Sequence, residues 1–406
     1  MPTARISHLI PDGRRLAVAG TRQVLLHEGM PGDEVRYAVV PGRGRTPRGE
    51  LEEVLNPSAD RRTPPCPFSA NCGGCDLDAL TEEAQREART ELVARATERS
   101  WDQRPMLFPV APFSAYRARI TLHLDGGQVG YRAPRSHDLV PVDVCRIARP
   151  EIQDAHRKLV DFIARHGHEG LSDVELRSDG ARVIYAFVSD GSVPRALREA
   201  LGELGDVALD GRTHTGDPTL TLDVLGLSLR ASPRAFYQVH LEANLALVGL
   251  VVAAVQEARP QRIVDLYAGI GNLTLPLARD GGAPVVAVER EGQATEDLRH
   301  NAEQAGLTDQ VSVVTRPVER WDPSREPFDV VVLDPPRIGA KGVVDKLVLQ
   351  RPRRIVYVAC HVSSALRDLQ PALAQGYFVR RVQLVDLFPD THHVETVLVV
   401  DRGDQR

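Results

Sequence analysis

Five cysteines occur in the 406 residues, and their spacing separates them into two kinds. Cys66, Cys72 and Cys75 fall within the decapeptide CPFSANCGGC, and Cys145 follows in LVPVDVCRI. Four thiolates can hold a zinc ion or an iron–sulfur cluster. A disulfide framework is disfavoured, because an odd cysteine count pairs poorly and the opening MPTARISHLIPDGRR lacks the apolar core of a secretory signal. The expected compartment is therefore the cytoplasm, which keeps thiols reduced. Zinc sites favour C-x2-C pairs on both sides, whereas here the spacing is C-x5-C-x2-C with a distant fourth cysteine. The glycine pair Gly73-Gly74 lets backbone amides approach the sulfurs. Cys360 differs, because it ends the apolar run RIVYVAC. At the tip of a sheet strand near a cofactor it is a candidate nucleophile, although many buried cysteines serve only as small apolar groups. Glu395 opens the last apolar run, in DLFPDTHHVETVLVV. A thiol and a carboxylate together would permit covalent catalysis followed by proton removal.

A second group of residues has the character of a cofactor site. IVDLYAGIGNLTLPLA reads as a strand, a glycine turn and a helix. Gly269 and Gly271 allow a tight turn and close approach of a ligand, and the helix behind them offers free N–H groups. Leu273-Thr274 replace the ending of the G-x-G-x-x-G fingerprint, which disfavours a dinucleotide. An adenosine ligand with a carboxylate, such as S-adenosylmethionine, remains suited. Glu289 ends the next strand, PVVAVER, where a carboxylate can accept the ribose hydroxyls. Asp334 ends the strand of VVVLDPPR, held at the strand tip by Pro335 and Pro336.

These residues need a sheet to bring them together. From about residue 240 the runs RIVDLYA, PVVAVE, VSVVT, FDVVVLDPP and RIVYVAC alternate with helical segments, which predicts a parallel sheet covered on both faces. YFVRRVQLVDLF and VETVLVVD follow closely and are expected to pair antiparallel. Upstream, RRLAVAG, RQVLLHE, DEVRYAVV and GELEEVLN, punctuated by Gly and Pro, predict a small OB-type barrel over 1–57. The loop GRGRTPRG there places Arg43, Arg45 and Arg48 together, suited equally to an RNA backbone and to solvent. LTEEAQREARTELVARATERS predicts a helix capped by Thr81. YRARITLHLDGGQVGYR and VELRSDGARVIYAFV predict hairpins in a β-rich central region. The expected organisation is three parts: 1–57, 58–230 and 231–406.

Net charge is −5, so nucleic-acid binding would rest on local basic patches. Hydrophobic content of 42% and charged content of 26% are those of an ordinary globular chain. The longest apolar run, LALVGLVVAAV, falls short of the roughly 20 residues a bilayer span needs and predicts a buried helix, with no membrane contact.

In this order the motifs resemble the RNA 5-methyluridine methyltransferases of the TrmA/RumA type, over nearly the whole chain. The matching segments are C-x5-C-G-G-C with a later cysteine, SPRAFYQVH, DLYAGIGNLTLPLA and FPDTHHVE. The resemblance implies a Rossmann-like class I methyltransferase sheet, an N-terminal TRAM barrel and a β-rich central iron–sulfur domain. It implies a [4Fe-4S] cluster on Cys66, Cys72, Cys75 and Cys145. It makes Gln238, Tyr267, Gly269, Asn272, Glu289 and Asp334 cofactor-binding residues, Cys360 the nucleophile and Glu395 the base. The implied substrate is RNA, 23S rRNA ahead of the T-loop of transfer RNA, and a monomer is expected. One departure stands out: the family's Ser-Cys-Asn-Pro is here Ala359-Cys360-His361-Val362. Three other readings compete. An exocyclic-amine methyltransferase would need neither Cys360 nor Glu395. A radical S-adenosylmethionine enzyme would use C-x3-C-x2-C. An RNA-binding assembly factor would have no use for an intact nucleophile and base.

Overall fold

The computed structural model describes residues 2–41 and 46–403. The chain begins as a closed barrel of β1 (Thr3–Leu9), β2 (Arg15–Ala19), β3 (Arg22–Leu26), β4 (Glu34–Val40) and β5 (Arg48–Asn56), in the order β1-β2-β3-β5-β4. Alternate residues such as Ile6, Val24, Leu26 and Val35 fill its interior, as the period of two requires. The sequence pattern does not announce β1, because a register shift between Ile6 and His8 breaks the alternation. Arg48 opens β5; Arg43 and Arg45 of the arginine loop lie outside the described residues.

Next come α1 (Glu82–Thr97) and the short β6 (Met106–Phe108). Thr81 caps α1 as expected, its hydroxyl accepting the Ala84 N–H at 3.3 Å. A seven-stranded sheet then forms from β7 (Arg119–Asp125), β8 (Gln128–Arg132), β9 (Leu139–Pro141), β10 (Leu171–Ser178), β11 (Val183–Ser189), β12 (Val207–Leu209) and β13 (Arg212–Thr215). Both expected hairpins are present, Asp125 pairing with Gln128 and Ser178 with Val183. Helix α2 (Pro150–His166) covers this sheet with Ile152, Leu159, Phe162 and Ile163, and a short α3 (Arg195–Ala200) follows β11. The hairpin of β14 (Leu220–Val224) and β15 (Leu227–Ala231) joins the core of the C-terminal part instead.

That part contains α4 (Leu241–Glu257), β16 (Ile263–Leu266), α5 (Thr274–Asp280), β17 (Val285–Glu289), α6 (Gly292–Gln304), β18 (Val311–Thr315), β19 (Val330–Leu333), α7 (Val343–Leu349), β20 (Arg354–Ala359), α8 (Val362–Ala374), β21 (Tyr377–Val385) and β22 (Glu395–Arg402). The sheet order is β18-β17-β16-β19-β20-β22-β21-β6. The first five strands are parallel, and β22 and β21 pair antiparallel, both as expected. Successive strand residues serve opposite faces: Ile263 packs in the core with α4, α5 and α6, and Val264 packs in the core with α7 and α8. Helix α1 lies on this second face, burying Leu92 and Val93 beside Leu347 and Leu369. β6 extends the same sheet by pairing with β21. The expected buried helix is α4, whose Leu247, Val248, Val251 and Val255 are fully enclosed. Among the described residues no helix is long and apolar enough to cross a membrane.

Candidate active site

Strand register brings the chemical groups to one edge of the sheet. Leu266, Leu333 and Tyr357 are aligned across β16, β19 and β20. Tyr267 and Asp334 therefore follow at the same level, at the carboxyl ends where an open α/β sheet binds ligands. Ala359 of β20 pairs with Thr396 of β22, so one further step sets Cys360 opposite Glu395. The two residues expected to act together are thus neighbours across adjoining strand ends.

Burial sets their resting protonation. Glu395 is 2% exposed, and its Oε1 has no hydrogen-bond partner among the described residues. Burial and the nearby Asp334 hold its pKa well above the carboxylate range. Burial also pushes Asp334 up to about 7. The Cys360 thiol is raised to about 12, by burial first and then by Glu395 and Asp334, with Arg337 opposing. With no ligand present the site therefore holds a protonated thiol among carboxyls that resist ionisation. A cationic ligand beside them would reverse that preference.

Gln238, Tyr267, Gly269, Asn272 and Asp334 line a single cavity next to this pair. Gly269 has φ +54°, and a Cβ there would meet no atom within 4 Å, which leaves room for a ligand. Gly271 has φ +99°, and a Cβ would come within 2.5 Å of Leu298 Cδ1, so a larger residue would strain the backbone and displace Leu298. Tyr267 also has positive φ, +64°, an uncommon state for an aromatic residue and one that concentrates at functional sites. Asn272 exchanges side-chain hydrogen bonds with Asn244 at 2.7 and 2.9 Å, which fixes its orientation at the cavity wall. Glu289 is placed differently from the other five. It is not among the residues that line this cavity, and its carboxylate accepts the N–H groups of Gly269 (3.0 Å), Arg290 (2.7 Å) and Glu291 (2.8 Å), which ties the end of β17 to the glycine turn.

Two cavity residues escaped the sequence reading. Asp265 accepts a hydrogen bond from Thr274 Oγ1 at 2.5 Å, while its Oδ1 is buried without a partner. Burial, with Asp334 and Glu289 near, raises it to about 7. The available signal was a lone aspartate in the apolar strand before the glycine turn. Phe236 stands 58% exposed at the cavity mouth, with the Arg119 guanidinium 4.8 Å from its ring centre. Its signal was an aromatic residue two positions before Gln238.

The remaining four cysteines also meet. Cys66, Cys72, Cys75 and Cys145, all partly exposed, line one cavity with Asp78, Tyr131 and Asp390. Among the described residues no group of three His, Cys, Asp or Glu side chains is arranged to hold one metal ion. Tyr131 Oη and Asp78 Oδ2 are buried at this cavity without hydrogen-bond partners. A Cβ on Gly73 would come within 3.0 Å of the Arg132 carbonyl oxygen, and the Gly74 N–H points to Cys72 Sγ at 3.4 Å. The glycine pair therefore lets the loop lie against β8. Burial raises the thiols of Cys66, Cys72 and Cys75.

Comparison with known proteins places this geometry in context. A family model described as tRNA (Uracil-5-)-methyltransferase matches residues 217–403. The chain is 31% identical to the 23S rRNA (uracil(1939)-C(5))-methyltransferase RlmD of Cronobacter sakazakii, covering 96% of this chain and 92% of the relative. It is 30% identical to the RlmD of Pectobacterium atrosepticum, covering 97% and 92%. Its fold resembles that of the tRNA (uracil-54, C5)-methyltransferase of Pyrococcus abyssi, solved with S-adenosyl-L-homocysteine. There the TM-score is 0.77 at 20% identity, covering 98% of this chain and all of the other.

Proposed function

The chain belongs to the RNA uracil-C5 methyltransferases, and from that premise we propose that it transfers a methyl group from S-adenosylmethionine to C5 of a uridine in 23S rRNA. The observation that carries the reading is the register that sets Cys360 opposite Glu395 beside a cavity lined by Gln238, Gly269 and Asp334. The unpartnered Asp265 Oδ1 and the open space at Gly269 suit a polar, cationic cofactor there. When bound, S-adenosylmethionine supplies an electrophilic methyl group on a sulfonium cation.

The protein's residues do the rest. Uracil C5 is a poor nucleophile until a thiolate adds at C6. Cys360 Sγ, its proton given up to solvent, forms that bond as the thiolate, and the ring electrons move to C5, which takes the methyl group as the bond from methyl to the sulfonium sulfur breaks and its electron pair stays on that sulfur. Glu395 then accepts the C5 proton, the C6–S bond breaks, and Cys360 recovers its electron pair. A positioned base of this kind contributes about 10²–10⁴-fold. Glu395 must be ionised to act, and a cationic neighbour lowers the pKa of a buried carboxylate. The uridine must leave its stack to reach the strand ends, which favours a looped target over a paired stem.

We assign Cys66, Cys72, Cys75 and Cys145 to a [4Fe-4S] cluster. What supports this reading is that all four thiols line one cavity, with the C-x5-C-x2-C spacing and a distant fourth cysteine. Methyl transfer moves no electron, so its role is structural. Ribosomal RNA is favoured because two relatives aligned over nearly the full length carry that substrate in their names. Transfer RNA is the second reading, from the family description. On this account the protein acts in the cytoplasm as a monomer. The test is mass mapping of 5-methyluridine in 23S and transfer RNA from a strain lacking the gene. We expect one or more 23S sites to vanish and to return with the wild-type gene but not with Cys360→Ala. Loss of 5-methyluridine from transfer RNA alone would move the substrate, and no loss anywhere would overturn the reading.

A further inference from the structure

Residues 386–394, which lead into Glu395, contain no helix or strand. Their positions are set from outside, by the part of the chain that holds the four cysteines. The carbonyl oxygen of Asp390 accepts the N–H groups of Asp76 and Leu77, each at 3.0 Å. Its carboxylate, 1% exposed, receives Arg62 (3.1 Å), Gln85 (2.9 Å) and Arg146 (2.8 Å). Gln85 also accepts the Asp390 N–H at 2.9 Å. Two residues on, Asp76 accepts the backbone N–H of His392 and lies 2.9 Å from its ring Nδ1. Arg89 donates to the Thr391 carbonyl at 3.0 Å, and the Tyr116 hydroxyl to that of Pro389 at 2.9 Å.

These anchors are tied to the cysteines by sequence and by space. Asp76 follows Cys75, Arg146 follows Cys145, and Asp390 itself walls the cysteine cavity. Asp390 has φ +63°, in the left-handed region that a non-glycine residue occupies at a cost. Such a conformation persists when its surroundings over-determine it, and here they do. Cys360 directly follows β20 and stands two residues before α8, whereas Glu395 opens β22 and pairs with Val385 of β21, so the loop bears on Glu395 at the first residue of its strand.

We propose that Asp76 and Asp390 are positioning residues for Glu395, and that the group bound by the four cysteines serves the reaction by holding loop 386–394 in place. The proposal rests on the assignment of Cys360 and Glu395 above. It divides the reaction: attack by Cys360 and methyl transfer survive a loosened loop, whereas removal of the C5 proton does not. A displacement of about 1 Å can cost ~10²-fold.

The test uses the full-length protein with its iron and labile sulfide measured. Asp76→Asn and Asp390→Asn are close in size to the native side chains, and Asn tolerates left-handed backbone. For each we expect kcat to fall ~10–100-fold, with KM for RNA and for S-adenosylmethionine nearly unchanged. A methylated covalent RNA–protein adduct should accumulate on denaturing gels, as it should for Glu395→Gln. If Glu395→Gln accumulates no adduct, the base assignment fails. If it does, while both Asp variants fold, load iron and turn over like wild type, the positioning proposal fails. Should neither variant fold, hydrogen exchange of intact and cluster-stripped wild type decides. Faster exchange across 386–395 on stripping, with β20 unchanged, supports the proposal, and unchanged exchange there overturns it. A protein that purifies without a cysteine-bound metal overturns its second half.

Discussion

At Cys360 and Glu395, burial and neighbouring carboxyls favour the protonated forms of the proposed nucleophile and base. Glu395 is buried and Cys360 partly so, and Asp334 is near both. Glu395→Gln keeps the shape but cannot take a proton, so a covalent adduct should build up on a denaturing gel while turnover falls by about 10² or more. Asp334 supplies a stability test. Its pKa in the fold, about 7, stands above the ordinary 3.8, so the folded state binds its proton more tightly than the unfolded chain does. The resulting penalty is absent below pH ~4, grows as pH rises, and is complete above pH ~7. Asp334→Asn should therefore raise Tm of the ligand-free protein near pH ~8, leave it almost unchanged near pH ~4, and weaken cofactor binding at both. Equal Tm shifts at the two pH values would contradict the assignment. Cys360, Glu395 and Asp334 were legible because each ends or opens an apolar run, so sequence position already marks a strand tip. Asp265 was not, because an aspartate inside such a run gives no sign of which atoms it faces.

At the level of elements, the glycine turn after β16 carries the most constraint. Gly271→Ala combines a left-handed backbone with a 2.5 Å approach to Leu298. The two effects together should cost about 2–4 kcal/mol, read as a lower denaturation midpoint with unchanged slope; a neutral variant would refute the packing described. The alternation of strands and helices was legible from apolar runs, because a parallel sheet buried on both faces needs them. Two elements were not. β1 loses its alternation at a bulge, and β6 has only three residues, too few for any period. The Asn244–Asn272 pair was hidden for another reason: sequence shows two amides but not that α4 brings one to the other.

For the whole molecule, the expected division into three parts describes the order of the chain better than its packing. Leu9 of the barrel and Met30 between β3 and β4, Leu77 and Leu80 just after Cys75, and Val264 and Leu398 of the large C-terminal sheet share one core. Arg15 of β2 donates to the Asp76 carbonyl at 2.7 Å, and Gly13 lies against the His392 ring, where a Cβ would sit 2.6 Å from it. Such shared contacts predict joint unfolding, since cooperative units follow contiguous cores. Calorimetry should show one transition; a separate early melt of the barrel would contradict the shared core. This convergence was invisible in sequence because each partner of loop 386–394 lies hundreds of positions upstream, and nothing in a local pattern records so distant a contact.

The central claim is that Cys360 joins the uracil ring before the C5 proton departs. RNA carrying 5-fluorouridine at the target site tests it most directly, because fluorine cannot leave as a cation and the adduct cannot resolve. With S-adenosylmethionine present, intact mass should show protein, RNA and one methyl group joined, and peptide mapping should place the bond on Cys360. Unmodified protein after full incubation, or a bond that persists in Cys360→Ala, would contradict the account.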